Sequence, residues 1–168
     1  MKPSLEELNL SDNELRTLPP QIVNLIELRH LNLSRNQLDK LPLDFPNLEL
    51  LAVLDLSHNQ LKELPGNWEK MAGMYQLFIN HNQFSRLPDN LKGIGADEAI
   101  EVFVHKNQIT ELPKWVFAPP YSVEIGEGEI MDEGWHFGDN PIQSPPPELI
   151  MEGREAVLQW FEERERKK

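Results

Sequence analysis

The chain contains no cysteine. That excludes a disulfide framework and any thiolate-ligated metal site. It also lacks an apolar run approaching the ~18 residues of a membrane span. Met1-Lys2-Pro3-Ser4 leads straight into patterned sequence, with no signal-peptide core ahead of it. Bases are scarce: 16 lysines and arginines face 28 acids, a net charge of −12. That balance argues against a phosphate backbone as the main ligand and fits solubility or a basic partner. No Gly-x-x-x-x-Gly-Lys-[Ser/Thr] phosphate loop occurs.

What the chain has instead is a period. Asn13, Asn36, Asn59 and Asn82 stand at 23-residue intervals, and Asn107 and Asn140 follow at 25 and 33. Each closes one frame, as in Leu5-x-x-Leu8-x-Leu10-x-x-Asn13-x-Leu15-x-x-Leu18-Pro19. The frame returns from Leu28 to Pro42, from Leu51 to Pro65, from Met74 to Pro88 and from Ala99 to Pro113. A degenerate sixth copy runs from Asp132 through Trp135, Phe137 and Asn140 to Ile142. A fixed period of this length means a stacked solenoid rather than a closed globule. The length of 168 residues makes one domain the natural count.

The frame has a plain physical reading. Alternation in Leu8-x-Leu10 puts both leucines on one face of a short strand, and neighbouring copies stack such strands in parallel. The asparagine both donates and accepts, so it can satisfy backbone groups of the buried turn that follows. Leu15 and Leu18 turn inward, and the proline after Leu18 sets the return path. Ile22 and Leu25, Phe45 and Leu48, and Trp68 and Met71 wedge the outer side. No copy buries its own apolar face; the stack does.

These motifs resemble the leucine-rich repeat family over residues 5 to 161, with Leu-Pro after the second apolar triplet as in its intracellular Ras-associated class. The tail Asn140-Pro141-Ile142-Gln143-Ser144-Pro145-Pro146-Pro147-Glu148, with Gly153-Arg154-Glu155-Ala156-Val157-Leu158, resembles the end of the repeat arrays of bacterial and Roco-type proteins. The resemblance implies an α/β solenoid with a parallel concave sheet, an irregular or 3-10 convex side and a C-terminal capping helix. It implies a protein-binding role without chemistry or cofactor. The missing cysteine caps imply a reducing, cytoplasmic compartment, and the resemblance of the tail implies a bacterial setting. The alternative is a recognition arm of a larger protein, such as a Roco-type GTPase or a bacterial effector ligase.

The expected division is a solenoid over 1–147 and a helix over 148–168 in the same domain. Pro145-Pro146-Pro147 stops the repeat. From Glu148 the apolar spacing is helical through Ile150, Val157, Trp160 and Phe161, with Gly153 on the same face, so a helix over 148–161 should cover the last open strand. Two inserts break the period, near Gly93-Ile94-Gly95-Ala96 and over about 118–134. The second carries Glu124, Glu127, Glu129, Asp132 and Glu133 and reads as an acidic loop or hairpin-like excursion. At the other end Leu8 and Leu10 line an uncapped edge, open to self-association, to a partner or to missing residues.

Counting each asparagine as position 9, positions 2, 3, 5, 7 and 8 are expected to point outward around the strand. Position 5 holds Asn9, Asn32, Asp55, Phe78, Phe103 and His136, and position 8 holds Asp12, Arg35, His58, His81, Lys106 and Asp139. Phe78 and Phe103 should stack as neighbours with Tyr75 nearby, awaiting either a partner or a covering loop. All five histidines (His30, His58, His81, His105, His136) fall at such positions. Their positions vary between copies, which speaks against a metal site. Asp55, Ser57 and His58 alternate sides of a strand, so they do not encode a catalytic triad. The expected partner surface is Tyr75, Phe78, Phe103, His81, His105, His136, Asp55 and Arg35. It should bind protein, not nucleic acid or membrane. Asn13, Asn36, Asn59, Asn82, Asn107 and Asn140 are expected to be structural.

Overall fold

The computed structural model describes residues 4–94, 100–118, 121–125 and 134–167. Positions 3 to 5 of the frame form the strands β1 (Glu7–Asn9), β2 (His30–Asn32), β3 (Val53–Asp55), β4 (Gln76–Phe78) and β5 (Glu101–Phe103). A short β6 (Val123–Glu124) and β7 (Gly134–His136) follow. All pair in parallel in the order β1-β2-β3-β4-β5-β7-β6. The constant frame sets the register: Leu8, Leu31, Leu54, Leu77, Val102 and Trp135 align in one column. From β2 onward that column is buried to 1% exposure or less.

Parallel neighbours need a long return connection, and here it runs through single 3-10 turns. They lie at Pro20–Asn24, Phe45–Asn47, Trp68–Lys70, Asp89–Leu91 and Lys114–Phe117. Prolines before or inside most of these turns fix φ where no amide donor is needed. Ile22, Phe45, Trp68, Leu91 and Val116 point from them into the core. The Trp68 indole, fully buried, donates to the Pro65 carbonyl at 2.7 Å.

The repeats are joined by their asparagines. Asn59 Nδ2 donates to the Leu56 and Ser57 carbonyls of its own turn and, at 3.0 Å, to Leu33 of the preceding copy. Its Oδ1 accepts the Leu38 amide of that copy at 2.9 Å. Asn36, Asn82, Asn107 and Asn140 repeat both cross-copy bonds, on Leu10 and Leu15, Leu56 and Leu61, Ile79 and Phe84, and Val104 and Ile109. Asn13 bonds only the nearby Leu10 and Ser11 carbonyls and is exposed. The residue before each asparagine is left-handed: Asp12, Arg35, His58, His81, Lys106 and Asp139 have φ of 53 to 56°. That turn aims the asparagine inward, at a steric cost to every side chain that is not glycine.

The ends depart from expectation. The C-terminal helix is two helices, α1 (Pro147–Glu152) and α2 (Arg154–Glu165), instead of one over 148–161. Gly153, at φ 111°, breaks the axis in a conformation that only glycine adopts cheaply, and its carbonyl starts α2 by accepting the Val157 amide. β6, from the expected loop, and not the helices, takes the outer edge of β7, and α2 lies against that segment, its Arg154 donating to the Tyr121 carbonyl. Gly134 permits the approach of β6, because a Cβ there would lie 2.7 Å from the Ser122 carbonyl. Residues 119–120 and 126–133 of the 118–134 insert, with Glu127, Glu129, Asp132 and Glu133, lie outside the described residues, as do Gly95 and Ala96. α2 also packs under the Lys114–Phe117 turn, with Phe161 6.3 Å from Phe117 and Glu165 3.1 Å from Lys114. At the other end β1 is an open edge: Leu5 is 45% exposed, whereas Leu28, its equivalent in the next copy, is fully buried.

The asparagine ladder gives a graded prediction. Asn59→Ala strands the buried Leu38 amide and should lower unfolding free energy by about 1–3 kcal/mol. Asn13→Ala, at the open end, should change it by less than about 0.5 kcal/mol. Urea denaturation of both variants checks this; equal losses would contradict it.

Candidate partner-binding surface

The concave sheet changes character halfway along. In the first three copies position 5 is polar and folds back on its own turn: Asn9, Asn32 and Asp55 Oδ1 each accept the amide of the serine two residues on, at 2.9 Å. This is the local bond that short polar side chains favour. Asp55 is therefore tied to Ser57, and it also lies opposite Phe78 in the register. Beside it is a depression of about 400 Å³ whose lining includes His30, Asn32, Val53, Asp55 and Phe78.

From β4 onward position 5 is a ring. Phe78 and Phe103 stack with centroids 4.7 Å apart and planes within 2° of parallel. His136 continues the stack over Phe103 at 4.7 Å and 12°. The spacing follows from the strands, which lie ~4.8 Å apart and so hold equivalent side chains at stacking distance. Both phenylalanines are half-buried, and Tyr75 nearby in sequence is 43% exposed. His136 is not outward-facing as expected: it is 6% exposed, with Nδ1 3.1 Å from Glu124 Oε2 on β6. Its Nε2 is buried without a hydrogen-bond partner among the described residues.

A second column of rings runs along the rim just past the strands. His58 stacks on His81 at 3.8 Å, and His105 meets His81 edge-on at 5.7 Å. His105 also lies edge-on to Phe103 at 6.4 Å, which joins the two columns. Burial, then the neighbouring His58 and Lys106, hold the His81 pKa below its ordinary value. Burial, then Lys106, does the same for His105, against an opposing pull from Asp139. Arg35 ends the column, 3.9 Å from Asp12 and exposed.

Position 7 does not face outward as expected. Ser34, Ser57 and Asn80 are 7%, 7% and 8% exposed, the two serine amides being capped by position 5, whereas the later His105 is partly open. Among the described residues no hydrogen bond links the Ser57 hydroxyl to His58, and no group of three or more metal-ligating side chains converges. The structure thus brings Phe78, Phe103, His81 and His105 into one surface, with His136 as its buried end. Tyr75 and Arg35 stand at its margins and Asp55 in the adjoining depression. Sequence reasoning left out His58, although it shares position 8 with His81, and left out the pairing of Glu124 with His136, which no period signals.

A family model described as leucine rich repeat matches residues 26–84, and another for two such repeats matches residues 3–48. The chain belongs to the leucine-rich repeat family. A leucine-rich repeat protein of Leptospira interrogans superposes with a TM-score of 0.65 at 25% identity, over 83% of this chain and 38% of that one. A TLR13–ssRNA13 complex matches with a TM-score of 0.52 at 28% identity, over 61% of this chain and 15% of that one. The chain therefore spans well under half the length of either relative. No curated protein sequence matches it significantly. Leucine-rich repeat domains commonly act as non-catalytic protein-interaction modules, built on extended concave surfaces. Among the described residues no helix is long and apolar enough to cross a membrane.

The depressed histidines carry a stability consequence. Folded His81 and His105 bind protons less readily than in the unfolded chain, so stability is whole above a pH of about 6.5 and is lost as pH falls toward their folded values. The urea midpoint should be lower at about pH 5.5 than at about pH 7.5. The double variant His81→Gln/His105→Gln should narrow that gap; an unchanged gap would assign the pH dependence elsewhere.

Proposed function

We propose that this leucine-rich repeat domain is a non-catalytic module that binds a partner protein on its concave face. The observation that carries the reading is the parallel stack of Phe78 and Phe103, half-open to solvent beside the exposed Tyr75. Aromatic side chains left half-open on a rigid sheet forgo part of a burial worth ~1.5–3 kcal/mol each, and such rings are the usual anchors of protein interfaces. The depression next to them, with His30 and Asp55 in its lining, offers hydrogen-bonding groups to the same partner. No covering segment claims the rings within the described residues, since Val123–Glu124 extends the sheet beyond β7 rather than folding over β4 and β5. The net charge of −12 supports a protein partner over nucleic acid, and the lack of cysteine supports a reducing cytoplasm, as in bacterial members.

A second reading has its own observation. Among the described residues the outer edge of β1 is open, with Leu5 exposed and Asn13 bonded within its own turn, and the matched relatives are much longer. This supports the chain's serving as the recognition arm of a larger protein, a Roco-type GTPase or an effector ligase among them.

The double variant Phe78→Ala/Phe103→Ala separates the outcomes. Partner affinity, measured by pull-down followed by calorimetry on the captured protein, should weaken by ~2 kcal/mol or more, about 30-fold. The urea-derived stability should fall by only ~1–2 kcal/mol, the stacking energy lost with the rings. Intact binding with reduced stability would make the rings part of the fold alone. No change in either would remove this patch as the site.

A further inference from the structure

The rim column has a composition that its backbone does not ask for. Position 8 has φ of 53 to 56° in every copy, a conformation that Gly, Asn, Asp and His adopt most readily. Asp12, His58, His81 and Asp139 follow that preference, whereas Arg35 and Lys106 do not. Two long cations thus accept a steric cost that aspartate or glycine would lessen. His105 at position 7 joins the same column through its edge contact with His81. In a chain with 28 acids against 16 bases, this is an unbroken run of basic or imidazole groups beside the concave face.

The column is continuous with the apolar rings, since His105 lies against Phe103. We propose that the rim from Arg35 to Lys106 takes the carboxylates of an extended acidic segment of the partner protein, whose apolar side chains lie on Phe78 and Phe103. The inference rests on the concave-face reading above and specifies the partner's chemistry. A dense polyanion such as a nucleic acid fits less well, because the molecule's overall negative charge opposes it while a few carboxylates need only the local strip. A small free anion lacks a cradle, because the imidazoles stack face to face at 3.8 Å instead of converging.

The site is acid-tuned. The groups facing His81 are His58, Lys106, His105 and Arg35, and those facing His105 are Lys106, Asp139, His136 and His58. Burial first, and then these mostly basic neighbours, lower both pKa values, so His81 and His105 gain charge only as the pH falls below about 6.5. Glutamate and aspartate side chains ionise near ~4, so on acidification from neutrality the partner stays anionic while the rim gains positive charge. A bound carboxylate offsets the repulsion that His81 and His105 meet from Lys106 as they gain charge, so binding takes up protons and tightens on acidification.

The test uses fluorescence anisotropy with a labelled peptide in which glutamates flank a leucine and a phenylalanine, at constant ionic strength. The expected result is about tenfold tighter binding at pH ~5.5 than at pH ~7.5. In the double variant His81→Gln/His105→Gln that ratio should drop below about two, and the glutamine version of the peptide should show no pH ratio. The variant Arg35→Gln/Lys106→Gln should weaken the acidic peptide at both pH values, which keeps the test decisive if the histidine variant fails to fold. A pH-independent affinity, an undiminished ratio in the histidine variant, or an equal ratio for the glutamine peptide overturns the proposal. So does tighter, histidine-dependent binding of a single-stranded RNA oligonucleotide, or the same response to sulfate alone. If the peptide's binding still depends on Phe78 and Phe103 but has no pH dependence, the concave-face reading stands and only this inference falls.

Discussion

The cross-copy asparagine bond is the constraint on which this molecule rests. A strand of three residues closes very few backbone bonds, and one copy of the frame cannot bury its own leucines. The asparagine solves both difficulties at one point. Its amide nitrogen ties three carbonyls, and its oxygen takes an amide from the preceding turn, so each copy is completed only by its neighbour. The left-handed residue before it, the inward serine or asparagine at position 7 and the register of the sheet all follow from holding that side chain in the same place.

The same translation builds the surface. Whatever stands at position 5 or 8 in one copy is laid about one strand spacing from its counterpart in the next. Two phenylalanines so placed become a parallel stack, and two histidines a second one, without any further device. The solenoid turns a one-dimensional pattern into a two-dimensional arrangement of rings and charges, and recognition depends on which residues the repeats leave unconstrained.

That is also why much of the molecule was legible in advance. The leucine columns and the parallel order are direct consequences of spacing, and the Phe78–Phe103 contact could be read from their shared position. Where the period fails, so does the reading. Val123–Glu124 joins the sheet because Gly134 lets the Ser122 carbonyl approach, a close contact between segments that no repeat relates. His136 is buried by that strand, so its exposure was misjudged. Gly153 shares the spacing of a continuous helix, and only its φ of 111° reveals the break. Position 7 looked outward by strand alternation, but the strand ends at position 5, and alternation does not carry through a turn.

The central claim is that stability passes from copy to copy through the asparagine bonds. Native-state hydrogen exchange tests it most directly, on the amides that asparagine side chains accept: Leu15, Leu38, Leu61, Phe84 and Ile109. The account predicts protection that is lowest at Leu15, beside the open edge, rises to a maximum through Leu38, Leu61 and Phe84, and collapses at Leu38 first when Asn59 is replaced by alanine. Uniform protection along the series, or an Asn59 variant whose losses are spread evenly over all five amides, would contradict it.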